Sequence, residues 1–387
     1  MNINIIKLAT VTALVSTVSV AYATNGDQML GVTATQWGMA GAAVAAPQDS
    51  GTIMTNPAGL SLLNIEDVRF DMGIGFLNPP RKANGVESDS DLYMIPSGSV
   101  AFKIDEQLTF AMGMAGLSGM GVDFADVTPA PGNQNVVTTK QFFKVAPGFS
   151  YQISDKLALG AALNIDYQSL ALDMDMSAVG GPTLHLPQNQ VYGFGLTLGA
   201  IYKISDELQF GASYISKQSM SDFKWNTSTG AYSMNMDAPE IFSMGIAYQP
   251  GDDLLVEVDI KYIGFSDVLD VVVLSTPAGD MPMTFGWDDQ LVFALGVQKK
   301  ISEKTTIRAG LNYGESPIGR EDVNSNLGSL AITETHASIG ATRKLGKNVE
   351  GSISYVRAFS NELTSDTTPT TIELDQNVLN FQISYKM

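Results

Sequence analysis

Eight charged residues lie in segments that otherwise alternate between apolar and polar side chains: Arg69, Asp71, Lys144, Asp166, Glu257, Asp259, Lys261 and Arg308. Successive side chains of a strand leave on opposite sides, so each charge takes the face away from its apolar neighbours. A cation in that position could hold a carboxylate by charge-assisted hydrogen bonds, and Lys261 and Arg308 are the candidate anchors. The competing assignment pairs these charges with Asp or Glu, or with chain packed beside them. Catalysis has little to draw on. The histidines are His185 and His336 alone. Ser338 shares a face with His336, but no nucleophile elbow surrounds it, and neither a nucleotide loop nor a metal-ligand constellation occurs. Cysteine is absent, which excludes disulfides and thiolate metal sites. The expectation is a protein without enzymatic activity, cofactor or metal.

The second chemistry on offer is apolar. Residues 217–238 carry Met220, Phe223, Trp225, Tyr232, Met234 and Met236, and the preceding loop adds Leu172, Met174, Met176, Leu184 and Leu186. Methionine and aromatic side chains make adaptable surfaces for hydrocarbon, whose exposure to water costs about 25 cal/mol per Å². These loops are therefore a candidate groove for a hydrophobic ligand. The same side chains could equally pack the loops against one another.

The elements that must carry these groups are strands. In 254–265, Leu254, Val256, Val258, Ile260 and Tyr262 share one face, while Glu257, Asp259 and Lys261 share the other. One such strand fits a soluble sandwich as well as a lipid-embedded wall. The pattern recurs from Val68 to Met387, punctuated by tight polar turns at 104–106, 153–156, 204–207, 250–253, 301–304 and 345–348. Longer Gly-, Pro-, Asn- and Asp-rich stretches separate the hairpins. Short turns at one end, long loops at the other and aromatic residues at strand ends predict an all-β transmembrane antiparallel barrel of about fourteen strands, with both barrel ends on the short-turn side.

Composition agrees with export. A formal charge of −18 argues against nucleic acid as a partner, and a mean hydropathy of +0.07 suits strands that interleave lipid-facing and water-facing residues. Lys7, the apolar run 8–20 and Ala21-Tyr22-Ala23 read as a signal peptide over residues 1–23. Residues 24–64 do not alternate. They are rich in Gly and Ala and too long to leave outside a wide lumen, so they read as a plug, with 65–387 as the barrel.

The run Gly38-Met39-Ala40-Gly41-Ala42, followed by Asn56-Pro57-Ala58-Gly59-Leu60, resembles the N-terminal hatch of the FadL/TodX outer-membrane transporters for hydrophobic compounds. Ala238-Pro239-Glu240, Trp287-Asp288-Asp289, Arg308-Ala309-Gly310-Leu311-Asn312-Tyr313 and Ser316-Pro317-Ile318 are similar to later strand motifs of that family. The C-terminal strand resembles a barrel-assembly signal, with Met387 where a terminal Phe is usual. The resemblance implies a fourteen-stranded barrel closed by its hatch, passive carriage of long-chain fatty acids or aromatic hydrocarbons, and contact with outer-membrane lipid and lipopolysaccharide. It further implies an extracellular groove, an inner pocket and a kinked third strand that opens the wall sideways. Gly113, Gly116, Gly119 and Gly121 are the candidates for that kink, since glycine within a strand often marks a bulge. A sideways exit argues for a monomer. The alternatives are a general or polar-solute porin and a barrel adhesin without transport.

Overall fold

Every strand of the barrel wall has a neighbour on each side, because the last pairs with the first from Asn377 and Asn78 to Lys386 and Arg69. The computed structural model describes residues 24–124, 135–175 and 183–387. Among these, fourteen antiparallel strands close the barrel: β1 (Val68–Asn78), β2 (Tyr93–Lys103), β3 (Leu108–Phe124), β4 (Val136–Ser154), β5 (Leu157–Asp175), β6 (Thr183–Lys203), β7 (Leu208–Ile215), β8 (Ile241–Tyr248), β9 (Leu254–Ile263), β10 (Gln290–Ser302), β11 (Thr305–Gly314), β12 (Thr335–Lys344), β13 (Val349–Thr364) and β14 (Thr371–Lys386). Closure satisfies each backbone polar group within the wall, which a lipid-embedded sheet requires.

The alternation read from sequence separates two environments. On β9, Val258, Ile260 and Tyr262 are exposed while Glu257 and Asp259 are buried, and the same split holds on β6, β11 and β14. The outward rows of Leu, Ile, Phe and Tyr form an apolar band suited to hydrocarbon. All six tight turns lie between consecutive strands where expected. Both barrel ends meet on that side, where the Val68 amide donates to the Met387 carbonyl at 3.0 Å and the Met387 amide returns a bond of 2.9 Å.

The wall departs from the sequence reading at its upper end. β3 continues through all four candidate kink glycines to Phe124, and β5 and β6 extend as a paired ribbon. Leu172, Met174, Leu184 and Leu186 consequently sit on paired strands, not in a loop. The ribbon's register shifts between Leu186 and Asn189, at Pro187, which has no amide proton for the ladder. Above the barrel, Phe223–Thr227, Gly230–Met234, Val271–Thr276 and Gly279–Thr284 form a second, four-stranded sheet from the β7–β8 and β9–β10 connections.

Residues 24–60 lie inside the lumen, buried or half-buried throughout. They form a short hairpin (Thr24–Asn25 with Gln28–Met29), a helix α1 (Ala34–Gly38) capped by Thr33, and two 3-10 turns, Ser50–Met54 and Pro57–Leu62. Asn56 begins the second turn with Pro57 at its first position, where the missing amide costs nothing. The Asn56 side chain donates to the carbonyls of Val44 (2.7 Å) and Ala200 (3.3 Å), tying two hatch segments to β6. The wall accepts this backbone because it offers glycine: a Cβ on Gly199 would lie 2.1 Å from Asn56 Oδ1, and one on Gly160 would lie 2.3 Å from the Ala58 nitrogen.

Candidate functional site

Between the front of the hatch and the wall lies a cavity with an apolar lining of Met29, Leu30, Val32, Val44, Met54, Leu117, Phe142, Ile215 and Ile241. Two lysines interrupt that lining, Lys144 from β4 and Lys261 from β9. Lys144 faces Asp166 across the β4–β5 pair, and neither Asp166 carboxylate oxygen has a hydrogen-bond partner in the protein. Lys261 is two residues from Asp259, whose Oδ2 is already occupied by the amides of Ala43 (2.8 Å) and Val44 (3.0 Å). Lys144 and Lys261 thus set two basic side chains, each beside a carboxylate of its own strand or the next, in an otherwise largely apolar space.

The two expected anchors therefore part company. Lys261 lines the cavity; Arg308 does not. The Arg308 guanidinium donates to Gln48 Oε1 at 2.8 Å and to Thr342 Oγ1 at 2.7 Å, helping to seat the hatch. Lys144 belonged to the inward set but was not singled out as an anchor. Its neighbour Phe142, two residues earlier on the same face, was the available signal, since an inward aromatic beside an inward lysine marks a mixed lining rather than a watery one.

The third strand carries a bulge between Gly116 and Ser118, with Leu117 as the extra residue against β4. Below it, Met112 and Met114 are exposed; above it, residues 118–122 are all buried, so β3 turns away from the lipid side. Pairing with β2 stops at Ser97 and Ala115, although β2 continues to pair with β1 as far as Tyr93. Pro96, the next residue of β2, has no amide to donate. On β3 the stretch without a β2 partner, residues 116–122, spans about 23 Å at 3.3 Å per residue. Its upper limit is set by the Asp89 amide donating to the Asp123 carbonyl (3.0 Å) and the Asp123 amide donating to Ser88 Oγ (2.9 Å).

A hatch strand takes up the vacated edge. Gln28 pairs with Ser118, and Asp27 accepts from Lys140 (2.8 Å) and Ser118 Oγ (2.6 Å). The glycines divide accordingly. Gly116 flanks the bulge, and Gly119 and Gly121 lie in the buried segment above it. Gly113 instead accommodates the hatch, where a Cβ would lie 2.7 Å from Ile53 Cγ2. Of the hatch positions, Gly41 has a left-handed φ of +87°, with the Leu30 carbonyl oxygen only 2.4 Å from where a Cβ would be. Gly38 sits against Gly340, and Gly59 against Pro47 and Thr52.

The candidate groove residues form one apolar cluster above the cavity. Leu184, Leu186, Met220, Phe223, Trp225, Met234 and Met236 are buried in it, and Met174 and Tyr232 pack on it. Met176 lies outside the described residues, as does the expected signal peptide. Phe223 and Trp225 stack with centroids 5.5 Å apart, and Trp225 Nε1 donates to the Pro187 carbonyl at 2.7 Å. These side chains join the second sheet to the β5–β6 ribbon. Replacing Phe223 and Trp225 by Ser should remove roughly 3 kcal/mol or more of packing. The expected outcome is faster limited proteolysis of residues 217–238, with the heat-modifiable gel shift of the intact barrel retained.

The histidines do not assemble a hydrolase. His185 is exposed and meets Asp173 at 3.0 Å. His336 is fully buried inside the lumen, and Ser338 Oγ is committed to the Gly38 carbonyl at 3.0 Å.

A closed fourteen-stranded barrel with an apolar outer band and an internal hatch defines a transport channel of the bacterial outer membrane. The model of a family described as outer membrane protein transport protein (OMPP1/FadL/TodX) matches residues 13–379, and the chain belongs to this family. The long-chain fatty acid transport protein of Salmonella typhi is 20% identical over 368 residues, covering 82% of this chain and 83% of that protein. Among solved structures, the toluene transporter TodX of Pseudomonas putida matches with a TM-score of 0.79 at 20% identity, covering 92% of this chain and 99% of TodX. A FadL homologue of Pseudomonas aeruginosa matches with a TM-score of 0.76 at 14% identity, covering 93% and 99%. At these identities the structural likeness is one of fold. The family carries hydrophobic compounds and is not enzymatic.

Proposed function

We propose that this barrel carries hydrophobic molecules with a single anionic head, long-chain fatty acids foremost, by facilitated diffusion. The observation that supports this reading is the apolar cavity with Lys144 and Lys261 in its lining. Cargo is captured by the apolar cluster under the second sheet, passes to the cavity beside the hatch, and leaves through the gap between β2 and β3. A route that ends in the membrane spares the hydrocarbon tail from water at every stage. It needs one barrel only, so the working unit is a monomer embedded in outer-membrane lipid and lipopolysaccharide. The name of the Salmonella typhi relative favours the same cargo.

Two measurements test the reading. Purified protein should bind labelled oleate saturably and more tightly than oleyl alcohol, which shares the tail but lacks the charge; equal affinity would remove the lysines from recognition. In a planar bilayer the hatch-filled lumen should pass almost no steady ion current, whereas an open porin of similar strand number would conduct continuously. A persistent conductance in the native protein would favour the porin alternative.

A further inference from the structure

The chain carries a formal charge of −18, yet its short-turn end is basic along one arc. Residues 299–307 and 341–349, which close β10, open β11, close β12 and lead into β13, contain six cations, Lys299, Lys300, Lys304, Arg343, Lys344 and Lys347, and a single acid, Glu303. None of the six forms an ion pair among the described residues. Glu350, the next acid along the chain, is taken by Lys386 at 2.9 Å. Two of the cations differ from the others in where they sit. Lys299 continues the lipid-facing row of Phe293 and Leu295 on β10, and Arg343 continues that of Ile339 on β12, because the pairing is regular through both positions and the β10 irregularity begins only after Lys300. Thr305 stands between them on β11, in the outward row of Ile307 and directly opposite Arg343.

Elsewhere the wall carries aromatic rings at this end. Tyr151 on β4, Tyr202 on β6, Tyr248 on β8 and Tyr385 on β14 are outward and exposed near the short turns, where a ring meets the lipid headgroups. β10 and β12 put cations there instead, two strand spacings or about 10 Å apart, a gap that extended lysine and arginine side chains close on one group between them. The rows that lead to them, Phe293 to Val297 and Ile339 to Ala341, hold no outward charge, so a molecule bound here has apolar wall on one side of its anion. A soluble partner would meet the turn residues Lys304 and Lys347 first, whereas Lys299 and Arg343 are reached from the bilayer. Short turns of bacterial barrels face the periplasm. We infer that Lys299, Thr305 and Arg343 bind the phosphodiester of an anionic glycerophospholipid in the periplasmic leaflet, with its acyl chains along the apolar rows of β10 and β12 and Lys304 adding charge from the turn beneath. Arginine takes two phosphate oxygens at once, the lysine ammonium adds a second charge, and the Thr305 hydroxyl is a third donor. A headgroup with an ammonium of its own, as in phosphatidylethanolamine, gains less because it brings a cation to a basic surface. The site is on the far side of the barrel from the gap between β2 and β3, so it stands apart from the transport reading.

Native mass spectrometry of the full chain with dioleoyl phosphatidylglycerol and dioleoyl phosphatidylethanolamine reads the preference directly. The native protein should favour phosphatidylglycerol by about tenfold or more, and Lys299→Gln with Arg343→Gln should bring the two lipids within about twofold of each other. Excess inorganic phosphate should not displace the bound lipid, because the acyl chains share in the binding. Lys103→Gln with Lys156→Gln, which removes two short-turn cations from other strands, should leave the preference unchanged, and Lys299→Arg with Arg343→Lys, which keeps both charges, should retain most of it. All four side chains are exposed, so no packing is lost, and the heat-modifiable gel shift confirms assembly. Should the double glutamine variant fail to assemble, Arg343→Gln alone should give the same change at smaller amplitude. A second measurement fixes the class of partner in place. A photo-crosslinking phenylalanine analogue at Leu345, activated in intact outer membranes, should yield an adduct with the mass of a glycerophospholipid. Equal affinity of the native protein for the two lipids, a preference that an assembled glutamine variant retains, displacement by phosphate, or a Leu345 adduct with lipopolysaccharide or a periplasmic protein overturns the inference.

Discussion

Replacing Lys144 and Lys261 by methionine, with Asp166→Asn to avoid stranding a buried carboxylate, is expected to weaken oleate binding by about 100-fold or more. Hydrogen bonds to charged groups contribute about 1.5–3 kcal/mol each, and 1.4 kcal/mol is tenfold in affinity, so the loss of two accounts for that figure. Methionine keeps the length and apolar stem of lysine, which confines the change to the charge. Asp259 retains the hatch amides of Ala43 and Val44 in this variant, so the cavity wall keeps its shape. Binding of an uncharged hydrocarbon such as toluene should change by no more than about twofold, since it draws only on apolar area. Isothermal titration of both ligands checks the pair of expectations. Equal losses for oleate and toluene would mean that the lysines support the cavity's structure and do not read the head group.

The second large effect concerns the gap beside β3. Deleting Leu117 removes the extra residue of the bulge, and β3 above Ala115 then regains a register in which it can continue pairing with β2. Pro96 still contributes no amide, but β2 itself continues as a strand to Tyr93. Oleate uptake should fall about tenfold or more, because a closed ladder offers no sideways exit for a chain that cannot enter water cheaply. Binding to the purified protein should persist, since Lys144, Lys261 and most of the apolar lining remain. The comparison of uptake with binding is the check: retained uptake in a folded Leu117 deletion would place the exit elsewhere.

Much of the wall was legible because a lipid-facing strand obeys a strict rule. The alternation of Val258, Ile260 and Tyr262 with Glu257, Asp259 and Lys261 has a period of two, and every tight turn is polar. Legibility declined where the strands rise above the membrane. There neither face of the β5–β6 ribbon is bathed in hydrocarbon, so Leu184 and Leu186 join a buried cluster with residues from remote loops and the surroundings of each face change along the strand. The sheet formed by residues 223–234 and 271–284 escaped for the same reason, since its partners come from two connections far apart in sequence.

The site was legible only in kind. Inward charges can be picked out strand by strand, but which of them share a cavity depends on how the hatch folds, and the hatch has no periodicity to read. Arg308 and Lys261 look alike in sequence; only the hatch tells them apart, by presenting Gln48 to the first and leaving the second on the cavity. The contact of Glu257 and Asp259 with the hatch was hidden likewise, because their partners are backbone amides, which carry no side-chain signature.

The account rests most directly on what enters a cell through this barrel. In a Gram-negative host lacking its own fatty-acid transporter, expression of the full chain should confer saturable uptake of labelled oleate, and the Lys144 and Lys261 replacement should abolish it at low oleate while the protein still assembles in the outer membrane. No oleate uptake from a correctly assembled barrel, or uptake indifferent to the two lysines, would contradict it.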